Sequence, residues 1–314
     1  MTHVAGAVLQ VVLVAVGSPL LVGMMRQVRA RLEGRAGAGI GQPWRDLRKL
    51  VRKEPIAPDG TGWVFRAAPL LLAGTVLVVA AVVPLVSTTS PLDEVADLFA
   101  VVALLALGSV ALALGALDTS TAFGGMGASR EMIVLALVEP TILLSVFALS
   151  VRVGTTNLGT IVTSAVADPL AVISPASLLA AAALAIVTFA ETGRIPVDNP
   201  STHLELTMIH EAMVLEYAGP DLALIEWASA MRLSVLLGLL TSLFAPWGIA
   251  TGSAGPGALL LAAVVVTVKV ALLGALLAAG EVFMAKLRLF RIPELLAGSF
   301  LMALLAVAAS FFLA

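Results

Sequence analysis

Apolar residues in this chain come in eight long runs separated by short polar stretches, at 4–25, 63–86, 97–118, 130–151, 174–191, 221–244, 257–280 and 295–313. Runs of about 20 apolar residues match the hydrocarbon thickness of a bilayer, so the pattern predicts an all-α integral membrane protein of eight spans. Helix is the required form, because lipid offers no partner to a free backbone N–H or C=O and the runs lack the alternation of a barrel strand. The first run lacks a basic leader, is long for a signal peptide and is followed by positive charge, so it reads as a span.

Composition sharpens this picture. The chain is 60% hydrophobic and 12% charged, against about 25% charged in a soluble domain. It has no cysteine and three histidines, which excludes disulfides and clusters held by thiolates and makes a metal or haem site unexpected. A net charge of −2 gives no reason to expect nucleic acid. Nine basic residues from Arg26 through Lys53 crowd the segment after the first span, which places it on the cytoplasmic side. Alternation then puts Arg130, Arg194 and the group Lys286, Arg288 and Arg291 inside, leaves only Arg152 outside, and sends both termini to the outer side. The expected organisation is one transmembrane domain over 1–314 with two polar inner segments. These are a basic loop at 26–62 and a docking segment at 192–220. No internal repeat is visible, which argues against an inverted-repeat transporter.

An ionisable group inside a span costs at least about 2.5 kcal/mol at its centre, so each needs a reason. Glu139 lies mid-span before Pro140. Glu226 and Arg232 share the sixth run, six apart and on different helix faces, so each needs a partner elsewhere. Lys269 lies in the middle of the seventh. Asp118, Glu191 and Glu281 stand at helix ends. Two readings apply to them: proton or ion transfer, or structural pairing that locks helices together.

The stretch 190–217 carries the most chemistry. Pro196 and Pro200 predict a rigid turn, braced by an Arg194–Asp198 ion pair. Thr202 and Glu205 form a capping-box pattern, which predicts an interfacial helix over 203–217. On it Glu205 and Glu216 fall within about 20 degrees of each other, on an apolar stripe with Met208, Ile209 and Ala212. A carboxylate there has a raised pKa and suits proton exchange near neutral pH. His203, Thr207, His210 and Glu211 make the opposite face, with the histidines turned to a partner protein.

Glu191, Arg194, Pro196, Asp198, Glu205, Glu216 and Tyr217 resemble the signature of the subunit 1 family of respiratory complex I. The fuller wording RIPVDNPSTHLELTMIHEAMVLEY is more similar to the relatives in formate hydrogenlyase and other group 4 membrane-bound NiFe hydrogenases. Three further segments resemble that branch: GQPWRDLRKL at 41–50, LDTSTAFGGMGASRE at 117–131 and KLRLFRIPE at 286–294. The resemblance implies a non-redox membrane subunit that anchors a hydrogenase module and couples its electron transfer to proton or sodium movement. It implies that the 192–220 segment faces the hydrogenase small subunit, with the large subunit and iron-sulfur proteins on the same side and antiporter-like subunits alongside in the membrane. The NiFe centre and iron-sulfur clusters are then the partners' cofactors, and this chain binds none. Glu139, Glu191, Glu205, Glu216 and Glu226 correspond to acids of a proton path. Val197 stands where complex I has an aromatic residue, and Ser201 and His203 where it has acids. A quinone-binding subunit of a complex I-like dehydrogenase is therefore the competing reading, and a free-standing transporter a third.

Overall fold

The computed structural model describes residues 2–93, 96–168, 172–195, 197–198, 208–252, 254–284, 287 and 291–313, with the backbone alone for Thr2, His3 and Leu313. Its described residues form helices α1 (Thr2–Leu32), α2 (Gln42–Val51), α3 (Trp63–Val82), α4 (Leu98–Asp118), α5 (Ala122–Val153), α6 (Leu158–Ala167), α7 (Pro175–Glu191), α8 (His210–Val214), α9 (Gly219–Phe244), α10 (Pro256–Phe283) and α11 (Ile292–Leu313). Seven of them, α1, α3, α4, α5, α9, α10 and α11, are long and apolar enough to cross a membrane. The fifth predicted span is α7, an apolar helix of 17 residues, about 26 Å long at 1.5 Å per residue. The expected eight thus resolve into seven full-length candidates and one shorter apolar helix.

Burial separates the centre of the bundle from its rim. The apolar window of α9 is 72% buried, against 28% in both α10 and α11. α9 packs against α1, α3, α7 and α10, so a polar side chain in its middle faces protein. α5 packs on α4, α7 and α11.

Prolines inside two spans create a problem that aromatic donors solve. Pro19 removes the N–H that would bond the Ala15 carbonyl, and that carbonyl accepts the Trp227 indole N–H from α9 at 2.8 Å. The next carbonyl, of Val16, accepts the Trp44 indole from α2 at 3.2 Å. In α3, Pro69 frees the Phe65 carbonyl, which accepts the Tyr217 hydroxyl at 3.1 Å while the two rings stack 4.1 Å apart. Burial, with Asp221 and Asp118 adding to it, pushes the Tyr217 phenol above its ordinary pKa, so it stays a donor. Gln10 of α1 does the same for the end of α3. Its amide nitrogen donates to the Ala80 and Val83 carbonyls, and its oxygen accepts the Leu85 and Val86 N–H groups.

Two inner segments differ from expectation. Residues 26–62 are not a simple loop. α1 continues to Leu32, the chain folds back, and α2 lies against α1 and α9 with Pro43 and Leu47 buried. Gly23 permits that return, since a Cβ there would sit 1.9 Å from the Ile40 carbonyl oxygen. Within the helix expected over 203–217, the described residues form only α8, at His210–Val214. The Asp198 carboxylate accepts the N–H groups of Ile209 and His210 and starts the helix there. Tyr217 is drawn to the Phe65 carbonyl, and Gly219, at φ +59, begins α9. The expected apolar face survives, since Met208, Ile209 and Ala212 are buried. Thr202 and Glu205 lie outside the described residues.

Tyr217→Phe keeps the ring stack and strands the Phe65 carbonyl, a loss of about 1–3 kcal/mol for a buried unpaired group. The midpoint of thermal unfolding in detergent is expected to fall. Adding Pro69→Ala returns an N–H to the same carbonyl, so the double variant should recover much of the loss. Equal midpoints for Tyr217→Phe and the native chain would contradict this role.

Candidate functional site

The apolar periodicity of α7 and α9 buries Glu191 and Arg232 together. Glu191 ends α7 at 3% exposure, and Arg232 stands mid-α9 at 7%. One Arg232 Nη2 contact reaches the Glu191 carboxylate and another the Leu105 carbonyl at 2.9 Å, while Nη1 donates to Ser109 Oγ at 2.6 Å. Three helices, α4, α7 and α9, are thereby joined through one guanidinium and its partners. Arg232 also acts electrostatically on Glu131 and Glu139 of α5, so three carboxylates share its charge. The Glu191 partner that the sixth run required is on the helix before it in the bundle, six residues of spacing having excluded Glu226.

A second cluster ties the turn after α7 to α5. His210 lies between Glu131, at 3.5 Å from Nε2, and Asp198, at 3.7 Å from Nδ1. Burial alone would push the imidazole down; Glu131, Asp198 and Glu211 overcome it and raise the pKa to about 9. Gly193 (φ +59) lies against the ring, where a Cβ would be 3.0 Å from Nδ1. Arg130 donates to the Met208 carbonyl at 2.8 Å. A third cluster centres on Glu281 of α10, which Arg194 approaches to 3.4 Å and Arg29 to 3.8 Å. Burial pulls the Arg194 guanidinium below its ordinary range, with Glu281 opposing.

All three clusters line one cavity of about 800 Å³. Its wall is apolar along Pro19, Val22, Leu72 and Leu112, and ionisable where Glu131, Glu191, Asp198, His210, Glu226, Arg232 and Glu281 meet. Such a space admits an elongated amphipathic molecule or a file of water, and it brings ionisable groups from several helices to one wall. Among the described residues no group of histidines and carboxylates forms a metal site.

The sequence-stated candidates divide accordingly. Glu191, Glu226, Arg194, Asp198, His210 and Arg232 are brought to the cavity, and Glu139 adjoins it through Arg232. Asp118 is elsewhere, accepting the Gly62 and Phe65 N–H groups and so capping α3. Lys269 donates to the Ala245 and Trp247 carbonyls at the end of α9. Glu216 is half-buried on the turn after α8. Pro196, Pro200, His203 and Glu205 lie outside the described residues. Two expectations are corrected. Arg194 turns to Glu281, leaving Asp198 to start α8 and face His210. His210 points between two carboxylates rather than outward to a partner. Glu131 was missed, although an acid one residue after Arg130 in an apolar helix was a visible signal; its buried position was not.

Because His210 is raised to about 9 from an unfolded value near 6.5, its contribution to stability is full below about pH 6.5 and is lost as pH rises through 9. Hydrogen exchange at residues 208–214 should quicken between pH 7 and pH 10 beyond the intrinsic rate, and His210→Gln should abolish that excess. An unchanged excess in the variant would contradict the assignment. At the Arg232 cluster, Glu191→Gln removes the carboxylate ion-paired with the buried guanidinium, at about 3–5 kcal/mol. Unfolding midpoints should show Glu191→Leu with Arg232→Met to be milder than either change alone; additive losses would mean the pair is not coupled.

The family model for NADH dehydrogenase matches residues 5–312. Formate hydrogenlyase subunit 4 of Escherichia coli is 36% identical over 290 residues, 92% of each chain. Hydrogenase-4 component C of the same organism is 37% identical over 245 residues, 77% of this chain and 75% of its own. A chain of the membrane-bound sulfane sulfur reductase, an archaeal respiratory membrane complex, shares the fold at a TM-score of 0.79 and 19% identity, with 98% of both chains covered. Those relatives are subunits and components of larger membrane assemblies, and this multi-pass membrane protein, matched by the family model over residues 5–312, belongs to the NADH dehydrogenase family.

Proposed function

We propose that this chain is the membrane-anchoring and ion-coupling subunit of an energy-converting NiFe hydrogenase complex of the formate hydrogenlyase kind. The observation that carries the reading is the cavity, in which carboxylates from α5, α7, α9 and α10 converge with Arg232 and His210, in a chain 36% identical over 92% of its length to a formate hydrogenlyase subunit. Charges so costly to bury hold one helix each to the same space, and protons can pass among them through water. The turn after α7 and α8 is the element that electron transfer would bias, because a change of charge at His210 alters its hold on Glu131 of α5. With no cysteine in the chain, the NiFe centre and iron-sulfur clusters belong to the hydrogenase large and small subunits and iron-sulfur proteins docked over the 192–220 segment. Antiporter-like subunits adjoin in the cytoplasmic membrane, and both termini face outward.

The test is the tagged complex in liposomes. Glu226→Gln, at a cavity-exposed position outside the buried pair, should leave nickel content and hydrogen evolution intact while lowering the ion gradient several-fold. Failure of the native complex to carry nickel would end the hydrogenase reading. An undiminished gradient would remove Glu226 from the path.

The size and apolar wall of the cavity favour a second reading, a quinone-binding subunit of a complex I-like dehydrogenase. A quinone analogue that shields Glu226 from carbodiimide labelling would support it, and labelling indifferent to the analogue would not.

A further inference from the structure

The outer face of α2 takes no part in the cavity chemistry. Pro43 and Leu47 are buried against the bundle, while Arg45, Arg48 and Lys49 are exposed, continued by exposed Arg52 and Lys53 past the helix end. At 100 degrees per residue, Arg45, Arg48, Lys49 and Arg52 share an arc of about 100 degrees roughly opposite Leu47. Little of this charge is answered within the chain. Arg45 donates to the Ala38 carbonyl, and Lys49 lies 3.9 Å from Asp46. Arg48, Arg52 and Lys53 have no ion-pair partner among the described residues.

Large apolar side chains stand exposed at the end of α2 and beyond it in the chain. Val51 is 61% exposed, Ile56 69% and Trp63, the first residue of α3, 78%. α2 is also held at a defined depth. Trp44 in its first turn reaches the Val16 carbonyl halfway along α1, and past its other end the Lys53 and Glu54 carbonyls touch Gly219, where α9 starts. A short helix tied to the middle of α1 and to the start of α9, carrying cations and followed by exposed apolar residues, has the composition of one that lies in a bilayer's interfacial layer.

We propose that this face of α2 binds the headgroups of anionic phospholipids. Phosphate meets the arginines and lysines as acyl chains meet Val51, Ile56 and Trp63, so one partner satisfies both halves of the pattern. An acidic soluble protein would answer the charge and leave the apolar residues at membrane depth unexplained.

The full chain in phosphatidylcholine vesicles, probed with spin-labelled phosphatidylglycerol and spin-labelled phosphatidylcholine, measures the preference directly. The native chain should favour phosphatidylglycerol on the order of fivefold or more, the factor one basic residue is worth at a charged surface. The preference should fall towards one in the variant Arg45→Gln, Arg48→Gln, Lys49→Gln, Arg52→Gln. It should persist in Arg45→Lys, Arg48→Lys, Arg52→Lys, because a lipid surface reads charge rather than the guanidinium fork. That second variant and the loss of preference in high salt keep the test decisive if the first does not fold. No preference in the native chain, or an equal one in the glutamine variant, overturns the proposal. So does release of soluble subunits from the glutamine variant's complex with lipid preference unchanged, which would assign the face to an acidic protein.

Discussion

Arg232 is the charge on which the interior depends. A guanidinium halfway along the most buried span is 7% exposed and relies on protein partners, and its hydrogen bonds to Glu191, Ser109 and the Leu105 carbonyl hold α4, α7 and α9 together. Removing any one partner strands the others in low dielectric, where attraction and desolvation are both large. Glu131 and Glu139 also lie within its field, beside the Glu191 carboxylate that bonds it. A proton added to one of these acids therefore changes the energy of the rest.

The same rule, that nothing polar stays unpaired in lipid, explains features of the fold that have no chemistry of their own. Proline in α1 and α3 frees carbonyls, and Trp227 and Tyr217 supply the donors. The Tyr217 bond anchors the end of the inner segment to α3, while Asp198 accepts the N–H groups at the start of α8. The segment between α7 and α9 is thus pinned at both ends, with His210 between two carboxylates of different elements. In the proposed function, this clasp is what a change of charge at His210 would tighten or loosen against α5.

Much of the fold was legible because hydrocarbon imposes a simple code. Run length located α3, α4, α9, α10 and α11 within a few residues, and the cost of buried charge singled out Glu191, Glu226 and Arg232. Pairing was less legible. Arg194 and Asp198 are four apart and invite each other, yet Glu281, 87 residues away, takes the arginine because the folded bundle sets α10 beside the turn. Asp118 and Lys269 stand in apolar runs like the other candidates, but they are half-buried and bond helix ends, which spacing along one helix cannot reveal. The 26–62 segment looked like a loop because a ten-residue helix with a polar face has no span-length signal.

The central claim is that the carboxylates around the cavity exchange protons as the partners exchange electrons. Infrared difference spectra of the assembled complex, recorded as hydrogen is admitted, observe this at the carboxyl groups themselves. The account predicts a protonated-carboxyl band that shifts in heavy water and is altered by Glu226→Gln or by His210→Gln. A spectrum in which hydrogen reduces the partner clusters while no carboxyl band changes would contradict it.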